Sequence, residues 1–128
     1  MTDECDTCSE VRSNDWTGNW RTLAALWGIP GAAMIAAVFM DPMVRAVIWT
    51  IMLVWMGGAC SANARRCNRT HCRLTRPFFM VMAALVVGYA AGMLPLGTHG
   101  WGIIGGVTIA GFVALWWGSE RAWGVFWH

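Results

Sequence analysis

The chain has 128 residues, 57% of them hydrophobic and 12% charged, with a formal net charge of +2. A soluble domain carries about 25% charged residues, so this composition excludes an ordinary water-soluble enzyme core. Nucleic-acid binding is excluded on similar grounds, because the basic residues gather in one short stretch beside an apolar block.

In chain order, residues 1–21 form an acidic leader that contains a C-x-x-C pair, Cys5 and Cys8. A secretory signal begins with a basic region, so the leader and the block after it do not read as one. Four apolar blocks without a charged residue follow: "LAALWGIPGAAMIAAVFM" (23–40), "AVIWTIMLVWMGGA" (46–59), "PFFMVMAALVVGYAAGMLPL" (77–96) and "WGIIGGVTIAGFVALWWG" (101–118). About 20 apolar residues carry a helix across a bilayer, with a lower limit near 17. The pattern therefore predicts an all-α integral membrane protein, a bundle of four transmembrane helices (22–118) with spans at about 22–40, 43–60, 77–96 and 101–118. Pro30 is expected to kink the first span or to delay its start, and Asp41-Pro42 reads as a turn. The sequence from 119 to 128, "SERAWGVFWH", reads as an interfacial tail in which Glu120 and Arg121 meet water.

Side chains around these spans have structural roles to fill. Trp16, Trp20, Trp27, Trp49, Trp101, Trp116, Trp117, Trp123 and Trp127 fall near predicted span ends, where indoles form interfacial belts. The pairs Gly88/Gly92 and Gly102/Gly106 predict close approach of spans three and four, or association with a second copy or a larger membrane complex. His99 and His128 lie apart from any cysteine and read as ordinary surface histidines.

All nine basic residues are arginine, and five of them (Arg65, Arg66, Arg69, Arg73, Arg76) lie between apolar blocks two and three. Positive charge in short loops marks the cytoplasmic side. The expected location is thus the cell (inner) membrane, with a 60–76 loop and both termini cytoplasmic, the arginines contacting anionic headgroups.

That same loop begins "CSANARRCNRTHC" (60–72), which holds three of the five cysteines and one of the three histidines. Guanidinium groups favour the thiolate, the form that binds metal or attacks a disulfide. In a reducing compartment clustered cysteines are more often metal-binding or catalytic than structural. Cys60, Cys67, His71 and Cys72 are the predicted metal ligands, with Cys5 and Cys8 as further thiols at the same face. Met52 and Met56 lie at i−8 and i−4 from Cys60, which would make a line of soft ligands if the segment is helical. Thiolate and thioether select soft ions, so copper, mercury or zinc are the expected cargo or cofactor. Were span two to continue as a helix through the loop, Cys60 and Cys67 would be about 10 Å apart along its axis at 1.5 Å per residue. They could not then share one ion. A membrane thiol–disulfide redox protein of the four-helix quinone-linked type, and an accessory subunit of a larger complex, are the alternative functions. No acid–base pair suited to catalysis is visible, and the balance is against an enzyme.

The run Ala59-Cys60-Ser61-Ala62-Asn63-Ala64-Arg65-Arg66-Cys67-Asn68-Arg69-Thr70-His71-Cys72, followed by Thr75-Arg76-Pro77-Phe78-Phe79, resembles the shared core of a group of small bacterial and archaeal membrane proteins of uncharacterised activity. "PLGTHGW" (95–101) is similar to a later motif of that group. The chain departs from it at Asn68 and Arg76, where the group has glycine, and at Thr98-His99. The resemblance implies a membrane protein and no particular activity.

Overall fold

A computed structural model describes residues 19–67 and 70–124, and within them all side chains except those of Arg66 and Cys67. Cys5, Cys8, Trp16, Trp127 and His128 lie outside the described residues. Among the described residues there is no strand. The elements are α1 (Trp20–Leu23), a π turn (Ala24–Gly28), α2 (Ile29–Ala37), α3 (Pro42–Cys67), α4 (Thr70–Ala90), a 3-10 turn (Gly97–His99) and α5 (Gly100–Trp123). The all-α expectation holds. Three segments are long and apolar enough to cross a membrane: Pro42–Arg65, Thr70–Ala90 and Gly97–Trp123. Helical residues 20–37 are continuous but span only about 27 Å at 1.5 Å per residue, slightly short of a bilayer core about 30 Å thick.

The first segment carries its own irregularity. Asn19 caps it, its Oδ1 accepting from Arg21 N at 3.1 Å. Pro30 has no N–H to offer the carbonyl four residues back, and its ring crowds that carbonyl. The helix answers with the wider π turn immediately before the proline, rather than with a break.

The segment from 60 to 76 corrects the expectation of a loop. α3 runs on to Cys67 and α4 already starts at Thr70, so the arginine- and cysteine-rich stretch is helical on both sides of a very short link. Ala62, Ala64, Arg65 and Arg66 are strong helix formers, and Gly57-Gly58 does not break the helix. Pro77 falls inside α4. The third helix therefore begins before residue 77, and it ends before 96.

Its end is set by Gly92. With φ +75°, Gly92 closes α4 in the left-handed conformation that glycine adopts without strain. Met93 N donates to Gly88 O at 2.9 Å and Gly92 N to Tyr89 O at 3.0 Å, the two bonds of a Schellman cap. Gly92 thus ends the helix and Gly88 meets only Leu94 beyond it, so within the bundle the pair makes no close approach to α5. On α5 the packing glycines are Gly100, Gly105 and Gly111, which face the rings of Tyr89, Trp49 and Phe78, while Gly102 and Gly106 have nothing within 4 Å of where a Cβ would stand.

The turn between α2 and α3 is tied by one cation. Asp41 Oδ1 accepts from Met43 N at 3.0 Å, so Asp41 caps α3 and Pro42 takes its first position. Arg45 Nε donates to Ala37 O at 3.3 Å, and its NH2 group to Val38 O at 2.5 Å and Met40 O at 3.2 Å. The guanidinium closes the carbonyls at the end of α2 and also lies over the Trp101 ring at 5.1 Å. An apparent charge in a membrane span is in this way a helix cap.

Helices pack in sequence, α2 on α3, α3 on α4 and α4 on α5. The core includes Trp27, Met34, Trp49, Leu53, Met56, Phe79 and Val86. Trp27 and Trp49 are buried and Trp116 is half-buried, which removes them from the expected interfacial belt. Trp49 Nε1 donates to Met34 O at 2.9 Å. Trp20, Trp117 and Trp123 are exposed, as belt residues should be.

Candidate functional site

The helical course of α3 decides which cysteines can meet. Backbone positions 60 and 67 lie about 10 Å apart along one helix axis, so Cys60 and Cys67 do not converge on one centre. α4, which begins three residues after α3 ends, packs alongside it and brings Cys72 to Cys60. The Cys72 and Cys60 side chains are within hydrogen-bonding reach of each other. Both are buried thiols, not joined in a disulfide.

Polar groups from three helices surround this pair. Asn63, one turn beyond Cys60 on α3, donates from Nδ2 to Cys72 Sγ at 3.4 Å. Thr75, one turn beyond His71 on α4, donates from Oγ1 to His71 O at 2.8 Å and lies 3.4 Å from Cys60 Sγ. The Thr75 hydroxyl thus faces two acceptors, the His71 carbonyl and the Cys60 sulfur, and donates to either through its one hydrogen. Cys60, Asn63, Thr70, His71, Cys72 and Thr75 each have 0% exposed surface. Buried polar groups in such number are expected only when they bond one another. Among these six, Thr70 Oγ1 has no hydrogen-bond partner, and the Trp27 indole adds a contact to the Cys60 side chain.

His71 is the hinge of the arrangement. Its Nε2 lies 3.3 Å from Cys72 Sγ, and its Nδ1 lies 2.6 Å from Glu120 Oε1 near the end of α5. A carboxylate accepts only, so Nδ1 carries the hydrogen and Nε2 presents its lone pair to Cys72 in the neutral ring. Trp116 fixes the ring plane, stacked at 4.2 Å between centroids and 6° between planes. Cys72, His71 and Glu120 thus stand in the order thiol, base, orienting carboxylate, the geometry that activates a nucleophile. Moving the thiol proton to Nε2 yields a thiolate beside an imidazolium whose charge Glu120 balances.

Of the predicted ligands, the structure brings together Cys60, His71 and Cys72. Cys5, Cys8 and the Cys67 side chain lie outside what it describes. Among the described residues no group of three or more His, Cys, Asp and Glu is arranged to hold a metal ion. Met56 is buried and Met52 half-buried, both against the apolar core, where methionine fills irregular space. His99 is exposed in the 3-10 turn, its Nδ1 3.2 Å from Thr98 Oγ1.

Sequence reasoning missed Glu120, Asn63, Thr75 and Trp116. Glu120 carried one usable signal. A negative charge in the last turn of a helix opposes the helix dipole, and an acid placed there implies a compensating partner. Asn63 and Thr75 sit one helical turn from Cys60 and from His71, on the faces those residues occupy.

Comparison with known proteins leaves the assignment to this geometry: no family model, curated protein or solved structure matches the chain.

Proposed function

We propose that the protein is a multi-pass membrane thiol protein in which Cys60 and Cys72 cycle between dithiol and disulfide. The observation that carries this reading is the buried Cys60–Cys72 pair with His71 Nε2 at 3.3 Å from Cys72 Sγ. The co-reactant by class is a small disulfide. Cys72 gives its proton to His71 Nε2, and its thiolate attacks one sulfur of that disulfide, releasing a thiolate that takes the proton from His71. Cys60 then attacks the mixed disulfide at Cys72 Sγ, with loss of its own proton, and releases the second thiol. Two thiols of the chain are oxidised and one disulfide is reduced to two thiols.

A second reading has its own support. A metal-ligating histidine ordinarily donates its other ring N–H to a carboxylate, as His71 does to Glu120. Cys60, His71 and Cys72 would have to shift together to receive a soft ion, copper or mercury before zinc, since the described residues hold no preformed three-ligand group. The orientation proposed for either function puts the thiol end at the cytoplasmic face of the cell membrane, because Arg65, Arg73 and Arg76 are exposed near it. Residues 20–37 then form the fourth crossing and leave both termini inside. The residues that carry the resemblance to the small membrane-protein group include Cys60, Asn63, His71, Cys72, Thr75 and Phe79, all buried, and we extend the same centre to that group.

The test uses the full chain in liposomes, with Cys5, Cys8 and Cys67 changed to serine. Oxidation with diamide should close a Cys60–Cys72 disulfide, seen as a loss of two hydrogens in the intact mass and reversed by dithiothreitol. If both thiols stay alkylatable after oxidation while Cu(I) or Hg(II) binds stoichiometrically, the metal reading replaces this one.

A further inference from the structure

The end of the bundle that holds the thiols is ringed by positive charge. Arg21, Arg65, Arg73, Arg76 and Arg121 are all exposed, and they come from four different helices. The contact between the Trp27 and Cys60 side chains shows that Arg21 belongs to this end. Trp20 lies seven residues before Trp27, and Arg65 five residues after Cys60. On antiparallel helices these are rises of about 10 Å and about 7.5 Å in the same direction. Arg121 follows Glu120, which meets His71 at 2.6 Å. Helical side chains lean toward the N-terminus, so Arg73 and Arg76, early in α4, lean toward this end as well. The first turn of α4 has no acid, and its free N–H groups add partial positive charge.

The acids that would balance this charge lie elsewhere in the chain. Among the described residues the acids are Asp41, at the opposite turn, and Glu120, bonded to His71. The other five of the seven, Asp3, Glu4, Asp6, Glu10 and Asp15, all precede Asn19, with Arg12 the one cation among them. The described chain begins at Asn19, at the arginine-bearing end, so the leader starts out beside the charge it complements.

The leader is also long enough to cross that end. Packed helix axes lie about 8–10 Å apart. α2 packs on α3 and α3 on α4, which sets α4 about 20 Å from the first helix. Glu10 is nine residues from Asn19, a span of about 16 Å for a flexible chain and about 30 Å at full stretch. Asp15, four residues from Asn19, reaches about 13 Å, enough for the neighbouring α3. Single exposed ion pairs contribute little, but a network of them acts together. The tether holds the leader's carboxylates near the arginines at an effective concentration on the order of millimolar, whatever the lipid.

We propose that the acidic leader, residues 1–18, docks across the arginine-bearing end of the bundle, with Asp15 nearest Arg65 and Glu10 nearest Arg73. Cys5 and Cys8 are then held at the same end as Cys60 and Cys72. The docking stands on charge and reach, so it holds whether or not the thiols cycle.

The experiment places a maleimide nitroxide on Cys5 of the full chain, with Cys8 and Cys67 changed to serine, at one chain per phosphatidylcholine nanodisc. Cys60 and Cys72 are buried and stay unlabelled. The Leu74 amide, early in α4, should be broadened by the label, and the Arg45 amide, at the opposite end, should not. Changing the five leader acids together to Asn or Gln should weaken the Leu74 broadening at least threefold. Raising salt from 0.1 M to 1 M should do the same, since the screening length falls from about 10 Å to about 3 Å. Broadening that survives neutralisation of the acids overturns the proposal. So does its loss when a third of the lipid is phosphatidylglycerol, which makes the occupant an anionic headgroup. Broadening that is absent at one chain per disc and present at two also overturns it, by making the occupant the leader of a second copy.

Discussion

Replacing Glu120 by glutamine isolates the charge of the buried relay. Glutamine retains a carbonyl oxygen that can accept from His71 Nδ1, so the fold loses little. What it loses is the negative charge 2.6 Å from the ring, at a histidine with 0% exposed surface where water cannot substitute. A hydrogen bond to a charged group is worth about 1.5–3 kcal/mol against about 0.5–1.5 for a neutral one. The thiolate–imidazolium state is therefore raised by about 1–1.5 kcal/mol relative to the neutral pair, and 1.36 kcal/mol is a factor of ten. Diamide should close the Cys60–Cys72 disulfide roughly tenfold more slowly in Glu120→Gln than in the parent, followed by intact mass after alkylation. Glu120→Ala should be slower still and less stable by about 1–3 kcal/mol, because it leaves a buried N–H unsatisfied. If the glutamine variant oxidises at the parental rate, the His71–Glu120 pair has no part in ionising Cys72.

Other outcomes follow from the packing and the caps. Gly111→Leu should destabilise the protein by about 1–3 kcal/mol through overlap with the Phe78 ring. Gly106→Ala, with open space around it, should be neutral or stabilising by up to about 1 kcal/mol; thermal melts in detergent separate the two, and equal losses would restore the Gly102/Gly106 stripe as a contact. Arg45→Lys should speed amide exchange at the start of α3 and in residues 38–41, since an ammonium cannot span three carbonyls as the guanidinium fork does. Trp49→Phe should lower stability by about 1–3 kcal/mol by leaving Met34 O without its buried donor. In a chain with no other cysteine, Thr98→Cys should react with impermeant maleimide added to intact cells. Protection there, with labelling of Arg73→Cys, would invert the proposed orientation.

Much of the fold was legible because apolar length is a one-dimensional signal. The blocks at 46–59, 77–96 and 101–118 are all helical where they fall within α3, α4 and α5. The boundaries were harder. Charge and thiols between 60 and 76 resemble a loop when hydropathy alone is read, whereas backbone preference there is helical through Ala62, Ala64 and Arg65. The thiol centre was half legible. Cys60, His71 and Cys72 announce themselves by proximity in sequence, but Cys67 was grouped with them, because only the continuous course of α3 sets it about 10 Å along the axis from Cys60. Glu120 lies 49 residues from His71, a contact that only the packing of α4 on α5 creates. Trp27 was assigned to a membrane interface because indoles favour that depth; the π turn forced by Pro30 sets it in the bundle instead.

The order of the chain has a consequence for synthesis. α3 and α4 are joined by so short a link that their hairpin can form as soon as α4 leaves the ribosome, and local contacts of this kind form early. Cys60 and Cys72 therefore meet in a nascent chain that still lacks α5. The base that would ionise Cys72 is already present as His71, but its carboxylate and its stacking partner, Glu120 and Trp116, come only with α5. On the proposed thiol chemistry, a chain made only through α4 would hold a paired but unassisted couple, and the docking of α5 would add the carboxylate and the stacked ring that assist it.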